Sequence, residues 1–328
     1  MSDEPTAEPA PPPAGPVEPV EPGGYRNLWV PLIVVPFLVV GVIALVFVFF
    51  GAIRGDDATL EENLRTMVEG GTNERKQAAM SLVAQVVRNE ELTRQGKPPE
   101  WKVGPDFLER LQRAWEDMRE EDNLNLKLVL ASVLASYGDP DARERLEELL
   151  VVPDADDADG QVRFGAMEAL ARLGDPAAAP AVIRLLDHPD PYLQLGAAAA
   201  LQALPGPASV EALRGLLGED DLALRGMAAI SLSHLGDDAG HAVLVDLVDP
   251  ATYAAVHALD PDKYADPKLV QHNRISAIEA LTRLALPEDA ALFARLAEEE
   301  PDPEVREAAM RGRDALAGAE RAPAGGGS

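Results

Sequence analysis

Four aspartates crowd the segment Val152 to Gly160 (VPDADDADG): Asp154, Asp156, Asp157 and Asp159. Carboxylates at alternate positions are what a calcium loop uses to wrap its cation. Such a loop also needs Gly at its sixth position and Glu at its twelfth. With Gly160 as the sixth residue, Ala155 falls at position one and Ala166 at position twelve, so the pattern fails. The segment reads as an acidic inter-helix loop that ends with Asp159 as a helix N-cap. The five histidines are His188, His234, His241, His257 and His272. None makes an H-E-x-x-H pair, and Gly236-Asp237 divides His234 from His241, so capping and surface roles are expected rather than metal binding. There is no cysteine, hence no thiolate ligand and no disulfide. No P-loop, G-x-S-x-G or G-x-G-x-x-G is present, and carboxylates are too abundant to single out an acid/base pair. The expectation is a chain that is not an enzyme and needs neither metal nor cofactor.

Binding is the remaining kind of chemistry. Aromatic residues make up only 5% of the chain, so where they gather is informative. Trp101 stands beside Pro98-Pro99 in the segment Asn89 to Gly104. Tyr253, His257, Tyr264 and His272 fall between Asp249 and Asn273. Aromatics are over-represented at binding hot spots. The candidate partner-binding residues are therefore Trp101, Asp154, Asp156, Asp157, Tyr253, His257 and Tyr264. For the two tyrosines a second reading stays open: they pack their segment onto the rest of the fold.

The elements that must position these residues repeat. Leu173-Gly174-Asp175 returns as Leu204-Pro205-Gly206 and as Leu235-Gly236-Asp237, 31 positions apart each time, and Asp159, Asp190 and Asp221 keep the same step. A fixed period of this size means stacked units. In the unit from Asp159 to Pro189, Val162, Ala166, Ala169, Leu170 and Leu173 share one helical face. Gly174-Asp175-Pro176 stops that helix and starts the next, where Val182, Ile183, Leu185 and Leu186 form a second apolar face before His188-Pro189. One hairpin cannot cover either stripe, and stacking the next one does. First helices are expected near 160–173, 190–204 and 221–235, and second helices near 177–187, 207–217 and 238–248. The three candidate segments are the places where the period breaks, and insertions in such arrays form loops, often on one face.

Asp159, Val162, Arg163, Ala166, Ala169, Leu170, Leu173, Gly174, Asp175 and Pro176 together form a pattern that resembles the bacterial HEAT repeats of the phycobilisome-lyase-like kind. Weaker matches begin at Arg75, run from Leu134 to Pro140, begin at Arg274 and open at Asp302, so the resemblance covers roughly 58–317. It implies an all-α, HEAT-like α-solenoid of about six helical hairpins. It also implies that Arg163, Arg225, Arg274 and Arg306 join an inter-repeat ladder with the turn aspartates. Its implication for function is broad, because such repeats serve many roles.

The formal net charge of −27 has three readings: a solvated surface, adaptation to high salt, or a field for a basic partner. Between residues 100 and 160, seventeen Asp or Glu face seven Lys or Arg. The acidity argues against nucleic-acid binding, which needs a basic patch to displace counterions.

Residues 1–26 read as a disordered Pro/acidic tail; its first 24 hold eight prolines, five acidic residues and no Lys or Arg. Residues 27–53 carry no charge, and the apolar run 28–50 is long enough to span a bilayer, with Tyr25 and Trp29 at one end. A single-pass transmembrane helix is expected there, then the solenoid over 54–317 and a flexible tail over 318–328. Arg54 and Arg65 against Arg26 lean towards a cytoplasmic repeat domain at a bacterial inner membrane. These features lead to a membrane-anchored scaffold that binds a protein partner, basic or membrane-embedded. The alternatives are an accessory subunit of a larger transporter or respiratory complex and, by the resemblance, a bilin-lyase-like chaperone. Against the last stand the anchor and the lack of a thiol to hold a bilin.

Overall fold

The period in the sequence becomes two rows of helices. The structure is a computed structural model and describes residues 58–119 and 121–321. The expected tail at 1–26 and the expected membrane helix at 27–53 lie outside the described residues. Among the described residues no strand occurs, and no single helix is long and apolar enough to cross a membrane.

The first row comprises α2 (Thr72–Arg94), α4 (Leu124–Ser136), α6 (Gln161–Leu173), α8 (Pro191–Leu201), α10 (Leu222–His234), α13 (Pro267–Leu284) and α15 (Pro303–Arg321), each packed on the next. The second helices follow in turn: α3 (Phe107–Asp117), α5 (Ala142–Leu150), α7 (Ala179–Ile183), α9 (Pro207–Gly215), α11 (His241–Val248) and α14 (Ala290–Glu299). Among the described residues this makes six hairpins, preceded by α1 (Leu60–Glu69) and closed by α15. The architecture is an all-helical α-solenoid. The last helix runs past Gly318, where the tail was expected to begin.

Start signals explain the boundaries. Asp-Pro opens α8, α12 (Pro250–Leu259), α13 and α15, with the aspartate carboxylate accepting amides of the first turn and the proline placed where no intrahelical amide is needed. Asp175-Pro176 does the same for the element at 176–187. That element begins as a 3₁₀ turn for a local reason. Pro180 has no N–H to give to the Pro176 carbonyl, and Ala179 N–H donates to it instead, one residue early.

Two expectations need correction. Asp159 does not cap α6; it reaches only the Gln161 amide at 3.3 Å. Asp157 supplies the cap, with its two oxygens accepting from Val162 N–H at 2.9 Å and Arg163 N–H at 3.0 Å. Gly160 occupies the left-handed N-cap position (φ +66°), where a Cβ would press on Leu193 at 3.2 Å. The third break in the period is also not a plain loop. It holds the extra helix α12, and α13 starts seven residues before Arg274, because Asp249-Pro250 and Asp266-Pro267 are start signals like the others.

The repeat cations do not bond the turn aspartates. Each reaches back to a carbonyl at or just past the end of the preceding unit's last helix. Arg75 donates to Met67 O at 2.8 Å, Lys127 to Arg119 O at 2.7 Å, Arg274 to Val248 O at 2.7 Å and Arg306 to Glu300 O at 2.6 Å; Arg163 and Arg225 donate to Val152 O and Glu219 O. A cation there satisfies an orphan carbonyl and complements the negative end of the helix. The turn aspartates form a separate ladder, and its donors come from second helices: Gln112 to Asp139, Arg143 to Asp175, Arg214 to Asp237 and His241 to Asp289.

Between the rows runs an aliphatic core rich in Ala and Leu, with Leu130, Leu134, Ala166, Leu170, Ala197, Leu201, Ala228 and Leu232 fully buried. Gly165 and Gly196 keep one place in the repeat. A Cβ on Gly165 would meet Leu128 at 2.5 Å, and one on Gly196 would meet Phe164 at 2.9 Å, so the missing side chain sets how closely α6 approaches α4 and α8 approaches α6.

Candidate functional site

The C-terminal ends of α2, α4 and α6 lie side by side, and the segment 95–106 folds back along α2 to wall them in. The result is a groove of ≈ 1010 Å³. Its floor is apolar: Val86, Val103, Ala135, Tyr137, Ala169 and Leu173. Trp101 forms part of the wall, half-buried.

Local chemistry fixes that wall. Gly96 takes a left-handed conformation (φ +69°), and Lys97 N–H returns to Leu92 O at 2.8 Å, which ends α2 and reverses the chain. Asn89, buried on α2, then holds the returning segment through both ends of its amide. Its Oδ1 accepts from Glu100 N–H at 2.9 Å and Trp101 N–H at 3.1 Å, and its Nδ2 donates to Trp101 O at 2.7 Å. Tyr137 meets Phe107 edge-on with ring centroids 4.9 Å apart, and burial pushes its phenol above the ordinary value, so the floor is uncharged.

The rim carries charges of both signs. Arg94, Lys102 and Arg172 line the groove against the single carboxylate of Glu90. Arg94 pairs with Glu91, and Arg172 lies 3.7 Å from Glu168; Lys102 is exposed and has no ion-pair partner among the described residues.

The other candidates sit elsewhere. Asp154, Asp156 and Asp157 lie between α5 and α6, and only part of that loop is a free acidic surface. The Asp157 side chain is 1% exposed and bonds Arg163 as well as the helix amides. Asp154 is 74% exposed, 2.6 Å from the Arg163 guanidinium and 3.6 Å from the His188 ring. Asp156 is exposed. The structure brings Tyr253, His257 and Tyr264 together, chiefly as packing. Tyr253 is 2% exposed, donates its hydroxyl to Leu247 O at 2.9 Å and meets Tyr264 edge-on at 5.0 Å. Desolvation drives its phenol far above the usual range. Tyr264 has a positive φ of 55°, and its neighbour Lys263 pairs with Asp221 at 2.9 Å. His257 is exposed, with Nδ1 3.0 Å from Lys263 O.

Of the residues that line the groove, sequence reasoning singled out Trp101 and passed over Asn89, Tyr137 and Arg172. Asn89 sits inside a helical run as an ordinary polar residue, and its role depends on a chain reversal several residues later. Tyr137 and Arg172 belong to different units and meet only through stacking.

Residues 112–190 and 181–260 match the family model for HEAT repeats. The matched stretch takes in the floor of the groove at Ala135, Tyr137, Ala169 and Leu173. Solved structures similar to this chain include the following three. The complex of CpcE and CpcF of phycocyanin lyase from Nostoc sp. PCC7120 is 19% identical, covers 80% of this chain and 96% of that one, and has a TM-score of 0.46. Human deoxyhypusine hydroxylase in complex with glycerol is 19% identical over 79% of this chain and 96% of that one, at a TM-score of 0.27. An engineered protein is 17% identical over 79% and 96%, at 0.34. No curated protein matches the chain.

Proposed function

We propose that this chain is a membrane-anchored HEAT-repeat scaffold that holds a protein partner beside a bacterial inner membrane, with residues 28–53 as the anchor and the repeats on the cytoplasmic side. HEAT repeats generally serve protein–protein interaction, and stacked helical units present extended surfaces suited to it. The observation that carries the reading is the groove at Trp101, an apolar floor with a half-buried tryptophan and a charged rim on a rigid row of helices. Buried or half-buried aromatics set in pockets are the usual anchors of protein interfaces. The proposed role is binding. The anchor rests on the length and lack of charge of residues 27–53. The topology rests on Arg54 and Arg65 following that run.

Affinity capture of the full chain from gently solubilised native membranes tests the scaffold. A specific partner that is lost from the Trp101→Ala variant supports it, and capture of nothing above background contradicts it. A stoichiometric integral-membrane partner would recast the chain as a subunit of a larger membrane complex. Extraction with alkaline carbonate tests the anchor, since an anchored chain stays in the pellet. Protease added from the periplasmic side of spheroplasts should leave the repeats intact.

A further inference from the structure

We infer that the solvent side of the first-row helices α4, α6, α8 and α10 is the contact between two copies of this chain. The contact is centred on α8, which does not line the groove at Trp101, so the inference goes beyond the scaffold reading.

The distribution of carboxylates is the first argument. The chain holds 56 acidic residues, yet these four helices hold one between them, Glu168, and it lies 3.7 Å from Arg172. No charged residue occurs from Pro191 to Val210, which takes in all of α8. The second row differs: Glu109, Glu116, Glu144, Glu148, Glu211 and Glu298 are all exposed there. The remaining first-row cations stand near the helix starts and are engaged, Arg163 in the buried cluster with Asp157, Lys127 and Arg225 on carbonyls.

Apolar side chains take the place of charge. The rings of Phe164 and Tyr192 stack with centroids 4.6 Å apart and planes 20° from parallel, and Tyr192 is 44% exposed. Phe164 also lies over Gly196, so the pair bridges α6 and α8. Leu128, Leu195, Met227 and Ile230 extend the surface to either side, each half-buried.

Self-complementarity selects the occupant. An isologous contact sets one patch against itself. Two chains of net charge −27 repel, and pairing their second rows would set carboxylate against carboxylate. The acid-poor face avoids that opposition, and apolar side chains match their own copies. Its size suits a dimer: four helices about 10 Å apart and about 20 Å long present about 800 Å², the share one partner gives to a stable interface.

The test is sedimentation equilibrium of the full chain in density-matched detergent micelles. A dimer is expected. Tyr192→Glu and Ala199→Glu, which bring carboxylates into the contact, should each weaken it about tenfold. Tyr192→Ser removes the exposed ring without adding charge and should weaken it about threefold, with an unchanged thermal midpoint. Glu148→Lys, on the second row, should leave the dimer as it is. The dimer should tighten as salt rises from about 0.05 M to about 0.5 M, because salt screens the repulsion between two acidic chains. A monomer at every concentration overturns the inference. So does a dimer that the three first-row variants leave unchanged, since its contact then lies elsewhere, and so does equal weakening by Glu148→Lys. Capture of a partner that is lost with Trp101→Ala does not depend on this contact, so either reading can fail alone.

Discussion

Two insertions interrupt the same stack and use their aromatics in opposite ways. The segment 95–106 leaves Trp101 half-buried at the wall of an open groove, fastened through its backbone by Asn89. The segment 249–266 buries Tyr253 to 2% exposure, closes its hydroxyl onto Leu247 O and lays Tyr264 against it. One insertion leaves its ring half-open at the groove; the other uses its rings to hold α12 on the array. An aromatic-rich break in a repeat is therefore ambiguous until its backbone is placed. What separates the two is whether the polar tip of the ring finds a partner inside the fold.

The largest effect that would sharpen this comparison is at Tyr253. Tyr253→Ala removes a buried ring and its hydrogen bond and should lower stability by about 3–5 kcal/mol, read by chemical denaturation, while capture of the partner from native membranes is unchanged. A small loss of stability with lost binding would reverse the roles of the two insertions. Asn89→Ala comes next. It leaves the amides of Glu100 and Trp101 without their acceptor and should cost about 1–3 kcal/mol, with faster hydrogen exchange confined to residues 95–106.

The acidic loop between α5 and α6 stands between these two cases, and it divides residue by residue. Asp157→Asn should destabilise by about 1–3 kcal/mol, because the 1%-exposed carboxylate caps α6 and faces Arg163. Asp156→Asn, at an exposed position, should stay within about 0.5 kcal/mol. Equal effects would mean that the loop is not wrapped around Arg163.

The smallest effect is a pH dependence. The hydrogen bond from Arg214 holds the Asp237 carboxyl below its ordinary value, and the hydrogen bond from Arg75 does the same for Glu121. A carboxylate depressed in the folded state adds stability above the ordinary carboxylate range and loses it as pH falls through the depressed value. Asp237→Asn should therefore lower the thermal midpoint slightly at neutral pH, and the gap from wild type should close below about pH 4. A gap that widens in acid would contradict the pairing.

Much of this was legible in the sequence. The 31-residue step placed the first helices at 161–173, 191–201 and 222–234 within a few residues, because Asp-Pro and Gly-Asp signals act locally. The extra helix α12 carries the same Asp-Pro signal and was hidden by its position outside the period. Asp159 was read as the cap from its place in the repeat, but the lengthened loop lets Asp157 fold under Arg163 and take both amides. The inter-repeat ladder was anticipated with the wrong donors. The repeat cations lie closer to the carbonyls that end the preceding helices, and the turn aspartates receive donors from second helices. The groove was legible only as Trp101, because its floor is assembled from three units and its clamp is a lone asparagine.

The central claim is that the open insertion is the contact surface and the packed one is not. A photoreactive side chain placed at Lys102 or at His257, both exposed, measures this directly in the full chain within native membranes. The account predicts a discrete adduct from position 102 that vanishes with Trp101→Ala, and none from position 257. A discrete adduct from position 257 with none from position 102 would contradict it.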